Sequence, residues 1–239
     1  MSLPSIDPLA LFNIKGQSAV VIGATGAFGQ VVCATLGKSG ARLTIAAGNA
    51  ETLDELATEL SLEDIEATQV ARRPNTEADC DAIVAAAVEA YGGIDILVIA
   101  SGMNDISPIE DMEPERFQKV MLANVEGAWL IARSVGRQMI AQGRGGKVVI
   151  TSSARGKLGH PAGYSAYCTS KAATDGMTKA LGCEWGKYNI TVNAIAPTVF
   201  RSPVTAWMFE DNENANNVRA GFLSRVPIGR LGEPEDLAG

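Results

Sequence analysis

The sequence predicts an α/β fold: one doubly wound parallel sheet with helices on both faces. Three observations carry that prediction. Short β-branched apolar runs alternate with longer helical stretches along the chain. The alternation keeps the spacing of βαβ units, which stack into a parallel sheet through right-handed crossovers. A glycine-rich turn, Gly23-Ala-Thr-Gly-Ala-Phe-Gly29, follows the first apolar run and opens the first helical stretch.

Residues 19–22 (Ala-Val-Val-Ile) form the first predicted strand, and the helix after the glycine turn runs to about Ser39. Residues 42–46 are the second strand. In 51–60, apolar side chains recur at 53, 56, 57 and 60, which puts them on one face of a helix. Residues 65–70 form a weaker strand. The stretch 79–91 places Cys80, Ile83, Val84, Ala87, Val88 and Tyr91 on one helical face. Residues 94–99 (Ile-Asp-Ile-Leu-Val-Ile) read as a buried strand. Residues 113–142 read as one helix with Pro114 near its start, followed by a strand at 147–151, a helix at 165–187 and a strand at 190–195. Residues 104–112 read as a loop. Residues 203–225 read as a flexible flap or short helical lid, because Trp207-Met-Phe209 is followed by the polar run 210–217. No linker or repeat interrupts the pattern, so 1–239 reads as a single domain.

Charge and composition exclude some functions. The chain has 239 residues and a net charge of −7, so nucleic acid and anionic membranes, which want a basic surface, are poor partners. No apolar run approaches the ~20 residues of a membrane span. Residues 1–8 carry neither a basic segment nor an apolar one, so no secretory leader is expected. The four cysteines (Cys33, Cys80, Cys168, Cys183) form no C-x-x-C pair, and with His160 the only histidine no metal site is expected. A reducing cytoplasm fits this usage.

The candidate chemistry lies in Tyr164-Ser-Ala-Tyr-Cys-Thr-Ser-Lys171. On a helix, Tyr167 and Lys171 stand at i and i+4, one turn apart on one face. An ammonium beside a phenol favours the phenolate, so the spacing predicts a tyrosine whose pKa falls from ~10 toward neutrality. Such a group can give or take a proton. Read alone, the spacing is better explained as a chance pair on a helix surface. The glycine turn adds a second signal: glycines let the backbone approach a pyrophosphate, and the helix N-terminus favours its charge.

The glycine turn, Asp95, Asn124, Ser153, Tyr167, Lys171 and Asn193-Ala-Ile-Ala-Pro197 occur in one order, and that order resembles the short-chain dehydrogenase/reductase family over residues 10–239. The resemblance implies a Rossmann-type sheet and hydride transfer between a nicotinamide cofactor and a carbonyl or secondary alcohol. It implies Tyr167 as general acid in reduction and base in oxidation. Lys171 would lower the tyrosine pKa and hold the nicotinamide ribose, Ser153 would orient the substrate oxygen, and Asn124 would support a water in the proton relay. Ser153 stands one residue further from Tyr167 than the usual family spacing, with Ser152 as the alternative. The cofactor-binding positions implied are Gly23, Thr25, Gly26, Phe28, Gly29, Asn49, Ala100, Gly102, Tyr167, Lys171, Pro197, Phe200 and Ser202. No metal is implied. This chain departs from the family pattern at three places. Ala27 replaces the middle glycine of the turn, and Ile99-Ala100-Ser101 replaces Asn-Asn-Ala at a strand end. Thr198 and Ser202 replace a glycine and a threonine after Pro197.

The position after the second strand, Ala46-Ala-Gly-Asn49, offers no carboxylate to bind a ribose 2′-hydroxyl, and Arg72-Arg73 follows the third strand. The reading therefore leans to NADP over NAD. The expected partners are a small carbonyl or alcohol substrate and further copies of the chain as a homotetramer or homodimer. The alternatives are a 3-oxoacyl-carrier-protein reductase-like enzyme, for which Arg155-Gly-Lys157 would be a faint docking patch, and a non-catalytic dinucleotide sensor. His160 near Ser153 could contact substrate or sit in an exposed loop. Trp207, Met208 and Phe209 could line the substrate cavity or form the buried face of a short helix. Cys168 reads as a packed small residue. The final helix and strand of the family sheet are expected to be missing from this chain.

Overall fold

A computed structural model describes residues 7, 9–202 and 205–238. Most of the stretch expected to lack a leader, the first two residues of the expected 203–225 flap, and Gly239 lie outside the described residues.

Six parallel strands form one sheet among the described residues. They are β1 Ser18–Ile22, β2 Arg42–Ala46, β3 Ala67–Val70, β4 Ile96–Ile99, β5 Gly146–Thr151 and β6 Ile190–Ile195, in the spatial order β3-β2-β1-β4-β5-β6. The helices are α1 Ala27–Lys38, α2 Ala50–Leu62, α3 Glu77–Tyr91, α4 Pro114–Met121, α5 Gly127–Gln142, α6 Ser165–Trp185 and α7 Glu213–Leu223. The chain winds outward from β1 to β3, then crosses back to β4 beside β1. That reversal leaves a crevice beyond the carboxyl ends of β1 and β4, where ligands of such sheets bind. Both the glycine turn and the Ala100–Met103 segment emerge there.

The strands are uniformly apolar because helices cover both faces. Every residue of β1 and β4 is buried. Val20, Ile22, Leu97 and Ile99 face α3 and α5 in one core, and Val21, Leu43, Ile45 and Val98 face α1 and α2 in the other. Each fully buried Leu or Ile contributes roughly 1.5–3 kcal/mol. Local signals set the helix ends: Asn49 accepts a 3.1 Å bond from Thr52 N–H at the start of α2, and Thr76 accepts one of 3.1 Å from Asp79 N–H at the start of α3.

The structure corrects the sequence reading in two places. The single helix expected over 113–142 is three pieces, α4, a π-helical turn Leu122–Glu126, and α5. Such a turn inserts a residue into the helical ladder and re-aims a side chain, here Asn124. It also brings Gly127 under the Pro74 carbonyl, which would lie 3.1 Å from a Cβ at that glycine. The strand expected from Ile94 begins at Ile96, because the Asp95 carboxylate turns aside. It accepts from Ser18 N–H at 2.9 Å and from Arg144 Nε at 2.7 Å, clamping the amino-terminal edge of the sheet far from the crevice.

Of the two forms expected for the polar run 210–217, flap or short helix, residues 213–217 take the helical one as the start of α7. Asn212 caps α7 by accepting from Ala215 N–H at 2.9 Å, and Arg219 donates to the carbonyls of Met208 at 2.7 Å and Glu210 at 3.1 Å. Trp207 is half-exposed, Met208 is buried, and the Arg201 guanidinium lies 3.9 Å over the Phe209 ring. The last described residues fold back on this region through Arg201–Glu233 and Arg230–Asp236 pairs, both bidentate.

Candidate active site

The crevice contains a cavity of about 610 Å³ that starts at the glycine turn. Gly23 turns the chain out of β1 with φ +77°, a conformation that favours glycine, and a Cβ there would stand 2.7 Å from Ser101 Cα. Gly26 caps α1 without any side-chain hydrogen bond, so the first-turn amides of α1 are left for a ligand. Gly29 lets α1 pack against the turn: a Cβ there would lie 2.1 Å from the Gly23 carbonyl oxygen. Beyond the turn, the cavity walls carry the cations Arg72, Arg73 and Lys119 and no carboxylate. A bare helix N-terminus, a close-approach turn and cationic walls fit a dinucleotide with its pyrophosphate at α1.

Of the positions implied for cofactor binding, Gly23, Thr25, Gly26, Ala100 and Gly102 line this cavity. Phe28 and Gly29 stand behind it as buried support. Asn49 spends its side chain capping α2. Phe200 pairs with Gly232, and the Ser202 hydroxyl lies 2.8 Å from that of Thr205, so the segment after Pro197 is knitted to the flap. The sequence reading missed Ser101, Met103, Lys119, Leu122 and Ala123 as wall residues. Met103, Lys119, Leu122 and Ala123 carry no local motif; they reach the cavity on the β4–α4 connection, α4 and the π turn.

The second half of the site lies where α6 crosses the π turn. Asn124, buried, donates to the Met103 carbonyl at 2.8 Å and accepts from Met103 N–H at 2.7 Å. The same amide donates to Ser170 Oγ at 2.9 Å. Asn124 thus holds the loop after β4, at the strand end where Ile99 and Ala100 lack amide side chains. Lys171 is buried with 3% exposure, and its ammonium donates to the Thr151 carbonyl at 2.7 Å. Its Nζ lies 5.7 Å from the centroid of the Tyr167 ring and would be 3.4 Å from a Cβ at Gly102. The Ser153 hydroxyl lies near enough to Tyr167 to lower its pKa, while Ser152 turns away toward the Lys171 carbonyl at 3.4 Å. The structure therefore brings Asn124, Ser153, Tyr167 and Lys171 together and points the two serines in different directions.

One electrostatic expectation is reversed. Burial raises the Tyr167 pKa above the ordinary phenol value, opposed by the Ser153 hydrogen bond and by the Arg155 charge. The Lys171 amine does not offset this, because with a pKa of about 8 it has lost its proton before the phenol titrates. Burial likewise pushes Lys171 down to about 8, opposed by the Asp175 carboxylate one turn further along α6. The phenol is thus held protonated at neutral pH, which suits a proton donor.

Lys171 gives a stability prediction. Its folded value lies about 2 units below the unfolded ~10.4. Between about pH 8 and about 10.4 the unfolded chain binds a proton that the folded chain does not. Folding stability is therefore expected to rise with pH across that window, by up to roughly 3 kcal/mol. Below pH 8 the cost of burying the ammonium is fully present. Urea denaturation at pH 7.5 and pH 9.5 checks it: Lys171→Met should abolish the rise, and an equal rise in that variant assigns it elsewhere.

Among the described residues, no three His, Cys, Asp or Glu side chains are placed to hold a metal, and no helix is long and apolar enough to cross a membrane. Cys168 is half-buried, its thiol donating to the Leu158 carbonyl at 3.7 Å.

Comparison with known proteins agrees with this geometry. The family model for short chain dehydrogenase matches residues 17–213. An uncharacterized oxidoreductase of Mycobacterium tuberculosis is 48% identical over 231 residues, covering 97% of this chain and 85% of that protein. A short-chain type dehydrogenase/reductase from Mycobacterium marinum superposes with a TM-score of 0.87 at 29% identity, covering 98% of this chain and 89% of that one. A gluconate 5-dehydrogenase from Burkholderia cenocepacia, solved in complex with NADP and tartrate, superposes with a TM-score of 0.86 at 27% identity, covering 95% of this chain and 87% of that one. With its order of motifs, its six-stranded parallel sheet and these relatives, this chain belongs to the short-chain dehydrogenase/reductase family of oxidoreductases.

Proposed function

We propose that this chain catalyses NAD(P)-dependent reduction of a carbonyl, or oxidation of a secondary alcohol, with Tyr167 as the proton-transferring group. The observation that carries this reading is the constellation of buried Asn124, Ser153 and Lys171 with half-buried Tyr167, beside a cationic, glycine-floored cavity. A bound nicotinamide dinucleotide supplies or accepts the hydride. The Tyr167 hydroxyl gives its proton to the substrate oxygen in reduction and takes it back in oxidation. Ser153 donates a hydrogen bond to the same oxygen, where charge develops. Lys171 places a positive charge under the phenol and stabilises the phenolate left after transfer. Asn124 fixes the floor of the site through Met103 and links to α6 through Ser170. The first-turn amides of α1, with Thr25 and Gly102, would hold the dinucleotide. We take 1–239 as one cofactor-binding domain with a lid over 203–225. Consumption of NADPH over a carbonyl panel by wild type, and its loss in Tyr167→Phe, tests the reading and separates it from a non-catalytic sensor.

NADP is the cofactor this reading favours. The Arg73 side chain lies across Gly48, with Nε only 2.2 Å from where a Cβ would stand, so the missing side chain at 48 makes room for it. Arg72 is already tied to Asp79 at 2.8 Å, which leaves Arg73 to meet a 2′-phosphate. Arg73→Ala is expected to weaken NADPH binding roughly 10–100-fold, the scale of one charge-assisted bond, and to change NADH binding little. Fluorescence titration measures both; tighter binding of NADH than NADPH by wild type overturns the preference. Half-exposed Phe117 on α4 and Trp129 on α5 support self-association as a homodimer or homotetramer in the cytoplasm, which sedimentation and fractionation would read.

A further inference from the structure

One carboxylate lies behind Ser153. Asp175 stands on α6 one turn beyond Lys171, and its side chain is 11% exposed. The segment that leaves β5 comes back onto it at three points. Lys157 Nζ donates to Asp175 Oδ2 at 3.0 Å. Gly156 packs on the same oxygen: a Cβ there would lie 2.9 Å from Asp175 Oδ2 and 3.0 Å from the Lys171 carbonyl oxygen. Any side chain at 156 would push the segment off the helix. Buried Ser152, whose hydroxyl donates to the Lys171 carbonyl at 3.4 Å, is also near enough to act on the carboxylate. Burial would raise the Asp175 carboxyl, but the Ser152 hydroxyl and the Lys157 and Lys179 charges outweigh it and hold it below the usual carboxylate range. The group is therefore an anion at neutral pH, gripping residues on both sides of Ser153.

The hydrogen bonds inside this segment lead back to Ser153. Its Oγ accepts from Arg155 N–H at 3.1 Å, and its carbonyl accepts from Gly156 N–H at 2.9 Å. The Lys157 and Leu158 amides both donate to the Ala154 carbonyl, at 3.1 and 3.0 Å. The short 3-10 turn Ala154–Gly156 is thus one unit with Ser153 as its cap. With its oxygen already accepting from a backbone N–H, the Ser153 hydroxyl keeps its own proton to donate. A shift of residues 156–157 away from α6 would pass straight through the turn to that hydroxyl.

Building on the oxidoreductase reading, we infer that Asp175 is a positioning residue: its carboxylate holds segment 152–157 on α6 and so fixes the direction of the Ser153 hydroxyl toward the reacting oxygen. The Lys157 pair is 62% exposed on the lysine side and screened by water, so the shielded contacts at Gly156 and Ser152 carry most of the hold.

The test compares single and double variants in steady-state reduction by NADPH of 2,3-butanedione, cyclohexanone and fructose, on whichever of them wild type turns over. Asp175→Ala is expected to lower kcat roughly 10–100-fold, the scale of a reacting group displaced by 1 Å, with NADPH affinity within a few-fold of wild type. In a Ser153→Ala background the same substitution should cost roughly threefold or less, because the group it positions is gone. Gly156→Ala, which pushes the turn off the carboxylate from the other side, should behave in the same way, and it carries the test if Asp175→Ala does not fold. An unchanged kcat in Asp175→Ala, or an equal loss in both backgrounds, overturns the proposal; the second result would place Asp175 behind Lys171 or the fold at large. Hydrogen exchange reads the hold without turnover. The amides of 155–158 should exchange about tenfold faster in Asp175→Ala, while those of β1 and β4 keep their protection. Unchanged exchange at 155–158 removes the hold. Wild type that consumes none of the three ketones, with the exchange difference intact, counts against the reductase reading and sustains the hold.

Discussion

Tyr167→Phe is expected to lower kcat by roughly 10²–10⁴-fold while leaving cofactor affinity within a few-fold of wild type. The reason is local. The hydroxyl is the acidic group that Ser153 contacts, and the ring is packed between Tyr164 and Lys171, so phenylalanine keeps the packing and removes only the proton. Because burial holds the phenol protonated, the loss should be greatest for carbonyl reduction at neutral pH. Steady-state rates in both directions, with NADPH fluorescence as the control for binding, measure it. Equal turnover by the two proteins would remove Tyr167 from the chemistry.

Gly29→Ala is expected to damage the fold and the cofactor site together. The added methyl would sit 2.1 Å from the Gly23 carbonyl oxygen and 2.7 Å from that of Ala24. Both are backbone atoms at the root of α1, so relief requires the helix to move off the turn and carry its amino-terminal amides with it. Overpacking of this kind costs about 3 kcal/mol. A displaced helix start should weaken NADPH binding at least 100-fold, since it loses both amide contacts and dipole alignment. Urea denaturation and cofactor titration report the two effects separately. A variant with wild-type midpoint and affinity would show that the turn tolerates the methyl. The contrast with Gly26, whose Cβ would meet only the Gly23 oxygen at 3.3 Å, explains why one position in the turn tolerates a methyl better than the other.

Most of the sheet was legible in the sequence because its strands are buried on both faces and its helices on one. Apolar runs such as Ala19-Val-Val-Ile22 and the period of Leu53, Leu56 and Leu60 therefore report their own surroundings. The π turn was not legible. A five-residue bulge leaves no mark on the apolar period, and its cause, the demands of the Asn124 amide on Met103 and Ser170, is contact between residues far apart in sequence. The same limit hid Lys119 and Met103 as cavity walls. It left Ser152 and Ser153 as alternatives, because adjacent residues at a strand end differ only in the direction they point. It also left Trp207, Met208 and Phe209 undivided, and they proved to face three different environments.

By itself, the sequence determined the family, the order of the strands and helices, and the residues that meet at the site, because each of these is carried by local pattern and by motif order. Tertiary structure decided how those residues are charged. Tyr167 was expected to be made acidic by Lys171, since proximity along a helix is visible in spacing. Burial is not, and burial raises the phenol and lowers the amine to about 8. Solvation depends on what every other segment covers, so the protonation state of a site is known only once the chain has closed around it.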